Sequence, residues 1–158
     1  MGSAASPAAD TFPRLLMEHA RVRPQHPALR EKNLGIWQTW TWGQAAEIVR
    51  KLAAGLHAQG FRRGQHLVII GENRPRLYFA MMAVQALGGV PVPLYQDAVA
   101  AEMIYVFENA EVEYAIVEDQ EQIDKMLEVR EAHPKLAPNL RGRNFDFPGR
   151  FDVRFLFH

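Results

Sequence analysis

Side chains able to attack, to bind phosphate or to hold a metal are scarce in this sequence, and their positions limit its chemistry. Its two serines, Ser3 and Ser6, stand in the first ten residues, its three threonines are Thr11, Thr39 and Thr41, and it has no cysteine. A hydroxyl or thiol nucleophile paired with a histidine base therefore has almost no candidates, and disulfides and thiolate metal sites are excluded. The six histidines, at 19, 26, 57, 66, 133 and 158, show neither an i, i+4 spacing nor a nearby carboxylate pattern for a metal. They read as structural or exposed. Phosphate recognition needs backbone N–H groups and hydroxyls gathered in a loop, commonly ending in Lys. No window here combines those residues, and neither G-x-x-x-x-G-K-[ST] nor G-x-G-x-x-G occurs.

Four groupings remain, each with a competing structural explanation. Gly71-Glu72-Asn73-Arg74-Pro75 lies between an apolar run and a helical pattern, where α/β folds place ligand groups. Helix initiation explains it better: Asn73 caps, Pro75 fills the first turn, and Arg74 and Arg76 are solvated. Gly88-Gly89 resembles a phosphate-binding turn, but a helix ending before a strand needs the same residues. Glu111, Glu113, Glu118, Asp119 and Glu121 form an acidic cluster, the last three of which complement a helix dipole without any catalytic carboxylate pair. Trp37, Trp40 and Trp42 could stack on a base or line an acyl pocket; hairpin packing for the first two and a helix anchor for the third are the simpler account.

The elements that position these residues are legible from spacing. Thr11 precedes apolar positions Phe12, Leu15, Leu16, His19 and Val22 at helical intervals, and Pro24 and Pro27 end that pattern. Residues 28–34 and 36–42 flank a turn at Gly35, which predicts a hairpin. Thr41 and Gln44 form the S/T-x-x-E/Q capping box of a helix with Trp42, Ala45, Ala46, Val49, Leu52, Ala53 and Leu56 on one face and Gly60 as its left-handed terminator. Short apolar runs then alternate with helical patterns. Strands are expected at 66–70, 90–94 and 113–117, with helices at 75–87, at 97–109 capped by Asp97, and at 119–133 with Ile123, Met126, Leu127 and Arg130 on one side. Strands this short and apolar are buried on both faces, so the class is α/β, with a partial parallel sheet and flanking helices.

An ordered series of short matches runs through this region: Thr41-Trp42-Gly43-Gln44, Ala53-Ala54-Gly55-Leu56, Gly60, Gly64, Val68, Glu72-Asn73-Arg74-Pro75, Ala86-Leu87-Gly88-Gly89, Pro91-Val92-Pro93 and Glu121-Gln122-Ile123-Asp124-Lys125. No single element is diagnostic, but in this order residues 41–125 resemble the N-terminal part of the AMP-forming acyl-CoA synthetases of the adenylate-forming superfamily. Residues 93–125 are most similar to the long-chain fatty acyl-CoA branch. The resemblance implies the N-terminal portion of the adenylate-forming fold and a parent reaction that uses ATP, magnesium and CoA to convert a fatty acid to acyl-CoA. The family's phosphate-loop, adenine-binding, ribose-binding and C-terminal lysine motifs have no counterpart, so no catalytic, cofactor-binding or metal residue carries over. Gln65 stands where the family commonly has Asp, a change expected to weaken a turn. The expectation is a chain inactive alone; a non-catalytic α/β interaction module, or the product of a truncated gene, is the alternative.

Apolar residues make up 48% of the 158 residues, charged residues 23%, and formal net charge is zero. That balance fits a globular chain and gives no electrostatic basis for binding nucleic acid or an anionic membrane. No apolar run reaches the roughly 20 residues that span a bilayer, and residues 77–87 read as a buried helix. Zero cysteines are compatible with a cytoplasmic setting, peripheral membrane association included. Residues 1–10 read as a disordered leader that also matches the N-myristoylation pattern at Met1 to Ser6, residues 11–136 as the synthetase-like segment, and 137–158 as an atypical tail. In that tail Phe145, Phe147, Phe151, Phe155 and Phe157 alternate with arginines, either after a break in the reading frame or as one more strand on which Phe151, Val153, Phe155 and Phe157 share a parity. Incomplete sheet edges and this tail predict self-association.

Overall fold

The computed structural model describes residues 10–132 and the backbone of 141–146 and 152–157. The leader, its lipidation pattern and Phe151 therefore lie outside the described residues. Helix α1 (Phe12–Val22) is followed by strands β1 (Pro27–Asn33) and β2 (Ile36–Thr41), then by helix α2 (Trp42–Ala58). The alternating part comprises β3 (His66–Ile70), α3 (Pro75–Ala86), β4 (Val90–Leu94), α4 (Ala100–Asn109), β5 (Val112–Val117) and α5 (Gln120–Ala132). Strands β6 (Arg141–Asp146) and β7 (Asp152–Phe157) complete the order, two strands where the sequence offered one.

β1 and β2 form a separate antiparallel hairpin, while the main sheet has the order β4-β3-β5-β7-β6. β3 pairs in parallel with β4 and with β5, Val68 lying opposite both Val92 and Ala115, as the unbroken apolar runs predicted. β7 pairs antiparallel to β5 and to β6. Strand alternation divides the core into two layers. Leu67, Ile69 and Ile116 point to the side packed by α1, α2 and α3, whereas Val68, Ile70, Ala115 and Val117 point to the side of α4 and α5.

Local chemistry sets the helix ends. The Thr41 hydroxyl accepts the Gln44 N–H at 3.3 Å and Gln44 Oε1 accepts the Thr41 N–H at 2.9 Å, the reciprocal box read from the sequence. At the far end of α2, Gly60 and Phe61 donate to His57 and Leu56, and α3 ends with the same pattern, Gly88 and Gly89 donating to Gln85 and Val84. The two turns meet: a Cβ on Gly89 would stand 2.3 Å from Cζ of the buried Phe61 ring.

Several expectations are corrected. α1 buries Leu16, with Met17 and Ala20 half-buried beside it, whereas Phe12 and Val22 are exposed; the Thr11 side chain makes no cap hydrogen bond. Trp42 begins α2 rather than ending β2. Asp97 does not cap α4, because residues 95–98 first close a turn from the Ala98 N–H to the Tyr95 carbonyl and the helix starts three residues later. The buried stripe of α5 is Gln122, Ile123, Met126 and Val129; Leu127 and Arg130 sit at its margins. At the outer edge of β4, the Val90 N–H points inward to the Gln65 carbonyl, so alternation turns the imide nitrogens of Pro91 and Pro93 outward. Neither carries a hydrogen, so this edge is a poor template for another strand.

Candidate functional site

In the sheet order β4-β3-β5-β7-β6 the chain leaves β3 through α3 towards β4 at one edge and leaves β5 through α5 towards the other, so the connections after these two adjacent strands run in opposite directions. That reversal parts the loops at the carboxyl ends of the central strands, the crevice in which open α/β sheets place ligands. Here it lies between Ile70 and Val117. The Glu118 N–H donates to the Ile70 carbonyl at 3.0 Å, carrying the strand pairing one residue further. A Glu118 carboxylate oxygen then accepts the backbone N–H of Glu72. Gly71 permits this approach, since a Cβ there would stand 2.9 Å from the Glu118 Cβ and 2.7 Å from its Oε2.

Glu72 pairs with Arg74 Nε, which holds the Arg74 guanidinium above its ordinary range. Arg76, in the first turn of α3, is half-buried; that burial pushes its guanidinium down while the charges of Glu31 and Glu118 act against it. Burial pushes the Glu118 carboxyl up, opposed by the Glu72 N–H and the charge of Arg74. Leu52, Leu77, Ala80 and Ile116 form the apolar floor of the cleft, which encloses about 40 Å³. A drug-sized ligand takes roughly 300–1,000 Å³, so this space holds a water or two and is one wall of a site. A wider depression of about 830 Å³ runs between the start of α1 and the end of α3, past Phe12, Leu15 and Arg63. Its Asp10 and Arg14 pair with each other at 2.8 Å.

The residues weighed in the sequence fall out as follows. Arg74, not Asn73, occupies the N-cap of α3, and Asn73 instead accepts the Tyr78 hydroxyl at 2.7 Å. Arg76 is not solvated. Gly88-Gly89 terminates α3. The acidic residues do separate work: Glu113 accepts from Gln65 Nε2 at 2.7 Å, Asp119 caps α5 by accepting the Gln122 N–H at 3.0 Å, and Glu121 pairs with Lys125 at 3.0 Å. Glu118 faces the opposite loop, so dipole complementarity was the wrong account of it. Gln65 also accepts the Arg62 N–H at 2.6 Å, which holds the turn that its presence was expected to weaken. Among the described residues no group of three His, Asp or Glu side chains is placed to hold a metal. Trp40 meets Phe79 edge-on at 6.1 Å, and Trp42 meets His19 at 4.5 Å with the rings tilted by 55°, the Arg23 guanidinium lying over the indole. Trp37 is exposed rather than packed. The Glu118–Gly71 contact was missed; its one local signal was a glycine directly after a strand.

Residues 16–148 match the AMP-binding enzyme family. The long-chain-fatty-acid–CoA ligase ACSBG2 of Mus musculus is 34% identical over 117 residues, 74% of this chain and 18% of that protein. The long-chain-fatty-acid–CoA ligase FadD15 of Mycobacterium bovis is 26% identical over 132 residues, 84% of this chain and 22% of that protein. Among solved structures, the N-terminal domain of FACL13 from Mycobacterium tuberculosis matches with a TM-score of 0.68 over 75% of this chain and 29% of that chain; at 19% identity the likeness is one of fold. The chain thus spans about a fifth of the length of these curated relatives. Fold, ordered motifs and matched relatives agree that the chain belongs to the AMP-binding enzyme family.

Proposed function

We propose that this chain is the N-terminal portion of a long-chain fatty acyl-CoA synthetase of fatty acid metabolism, and that it is catalytically silent alone. The observation that carries this reading is a family match over residues 16–148 to ligases several times its length. In the complete enzyme a fatty carboxylate attacks ATP, giving acyl-adenylate and pyrophosphate, and the CoA thiol then displaces AMP. The residues present do not fit ATP or magnesium. The cleft's two guanidiniums are compensated by Glu72 and Glu118, and no hydroxyl or lysine lines it. The part left to these residues is to set the walls at the switch point: Glu118 fixes the 71–74 loop, and α3 buries Phe79, Ala80, Ala83 and Val84 behind it.

A chimera tests this. Residues 41–117 replace the matched segment of the FadD15 ligase, and fatty-acid-dependent AMP formation is measured. Retained activity in a chimera that unfolds in a single transition is the expected result. A stably folded chimera that binds ATP but does not activate any fatty acid counts against the long-chain assignment.

A further inference from the structure

The base of the β1–β2 hairpin packs on α2 and α3, and its tip extends past the core. Leu34 at the tip is 94% exposed, Ile36 65% and Trp37 64%. Leu34 has φ 48° and Gly35 φ 81°, the mirror-image turn that suits strand twist and favours Asn-Gly. A leucine in the left-handed region is strained. This one is almost fully exposed, so packing against the described residues does not offset its cost.

The hairpin also sorts its charges. Leu29 pairs with Trp40 on the face packed against the core, and Glu31 shares that face, close enough to act on Arg74 and Arg76. The opposite face carries Arg30, Lys32, Trp37 and Thr39, all exposed, paired as Arg30–Thr39 and Lys32–Trp37. No acidic residue lies on that face of the hairpin. Apolar side chains at the tip, an indole beside them and two cations behind them match the layers of an anionic bilayer: acyl chains, interface and headgroups.

We propose that the hairpin tip is a membrane-contact finger that inserts Leu34, Ile36 and Trp37 into an anionic lipid surface, with Arg30 and Lys32 on the headgroups. The surface stands independently of the ligase reading. The test is cosedimentation of the full chain with phosphatidylcholine vesicles with and without phosphatidylserine. Wild type should bind the anionic vesicles and lose affinity as salt is raised. Leu34→Asn relieves the backbone strain, so it should unfold at the same or a higher temperature, yet bind about tenfold more weakly, the worth of burying one leucine side chain. Arg30→Gln and Lys32→Gln should each cost a factor of about five on anionic vesicles only. Failure of wild type to bind either vesicle, or equal binding by Leu34→Asn, overturns the proposal. So does a dimer that Leu34→Asn converts to monomer, because the tip then serves a second copy of the chain.

Discussion

Glu118 is the side chain on which the switch-point loops turn. Its folded-state carboxyl is pushed up by burial, so the folded chain takes up a proton that the unfolded chain, with an ordinary value near 4.5, does not. Stability from this group is therefore fully present below about 4.5 and falls as pH rises through the elevated folded value. Chemical denaturation of wild type and Glu118→Gln across that range checks the sign: wild type should gain on the variant as pH falls from neutral. A difference that does not change with pH would show that the carboxyl is not buried against the 71–74 loop. A strand-to-helix loop was visible at Gly71–Pro75 because glycine, asparagine and proline punctuate such a turn. Glu118 was not visible as its partner, since 46 residues separate the hydrogen-bonded pair and only the sheet order unites them.

At the scale of elements, amphipathic spacing located the helices well and their buried faces less well. α2 was read correctly because its stripe is long and apolar on one side: Ala45, Ala46, Val49, Leu52, Ala53 and Leu56 are all buried. Leu52→Asp should accordingly lower stability by several kcal/mol, since an unpaired charge would enter the core. Lys51→Asp should cost far less, because it only replaces an exposed 2.7 Å pair with Glu47 by a like-charge pair one turn apart. Urea midpoints of the two variants test this, and equal losses would contradict the assigned face. α1 shows the limit of such reasoning. Phe12, Leu15 and Val22 have helical spacing, but a short helix on a layer already filled by α2 and α3 finds cover mainly for Leu16. In α5 the stripe is turned toward Val129 because tertiary contacts with Met103 and Phe107 in the same layer select the face. The turn after β4 consumed Asp97, a residue whose side chain suits caps and turns alike.

At the scale of the molecule, the parallel arrangement of β3, β4 and β5 followed from their unbroken apolar character, and helices on both faces supply the cover such strands need. The two further strands were only partly foreseen, because alternating Phe and Arg fits a strand without showing what it pairs with. The family was legible in the order of small motifs, several of which prove to be caps, terminators or edge prolines (Thr41 and Gln44, Gly60, Gly88-Gly89, Pro91 and Pro93), while Ala53, Leu56 and Val68 lie in the core and Glu72 to Arg74 form the switch-point loop. Those caps, terminators and prolines are positions of local structure, and no catalytic role is read from them. The chain is proposed to do no adenylation alone, because among the described residues the transition-state charge on phosphate would meet no preorganised donors. Pyrophosphate release by the purified chain, given ATP, magnesium, CoA and a panel of fatty acids, measures it directly. The account predicts release no faster than a no-enzyme control with every fatty acid; fatty-acid-dependent release that copurifies with the chain would contradict it.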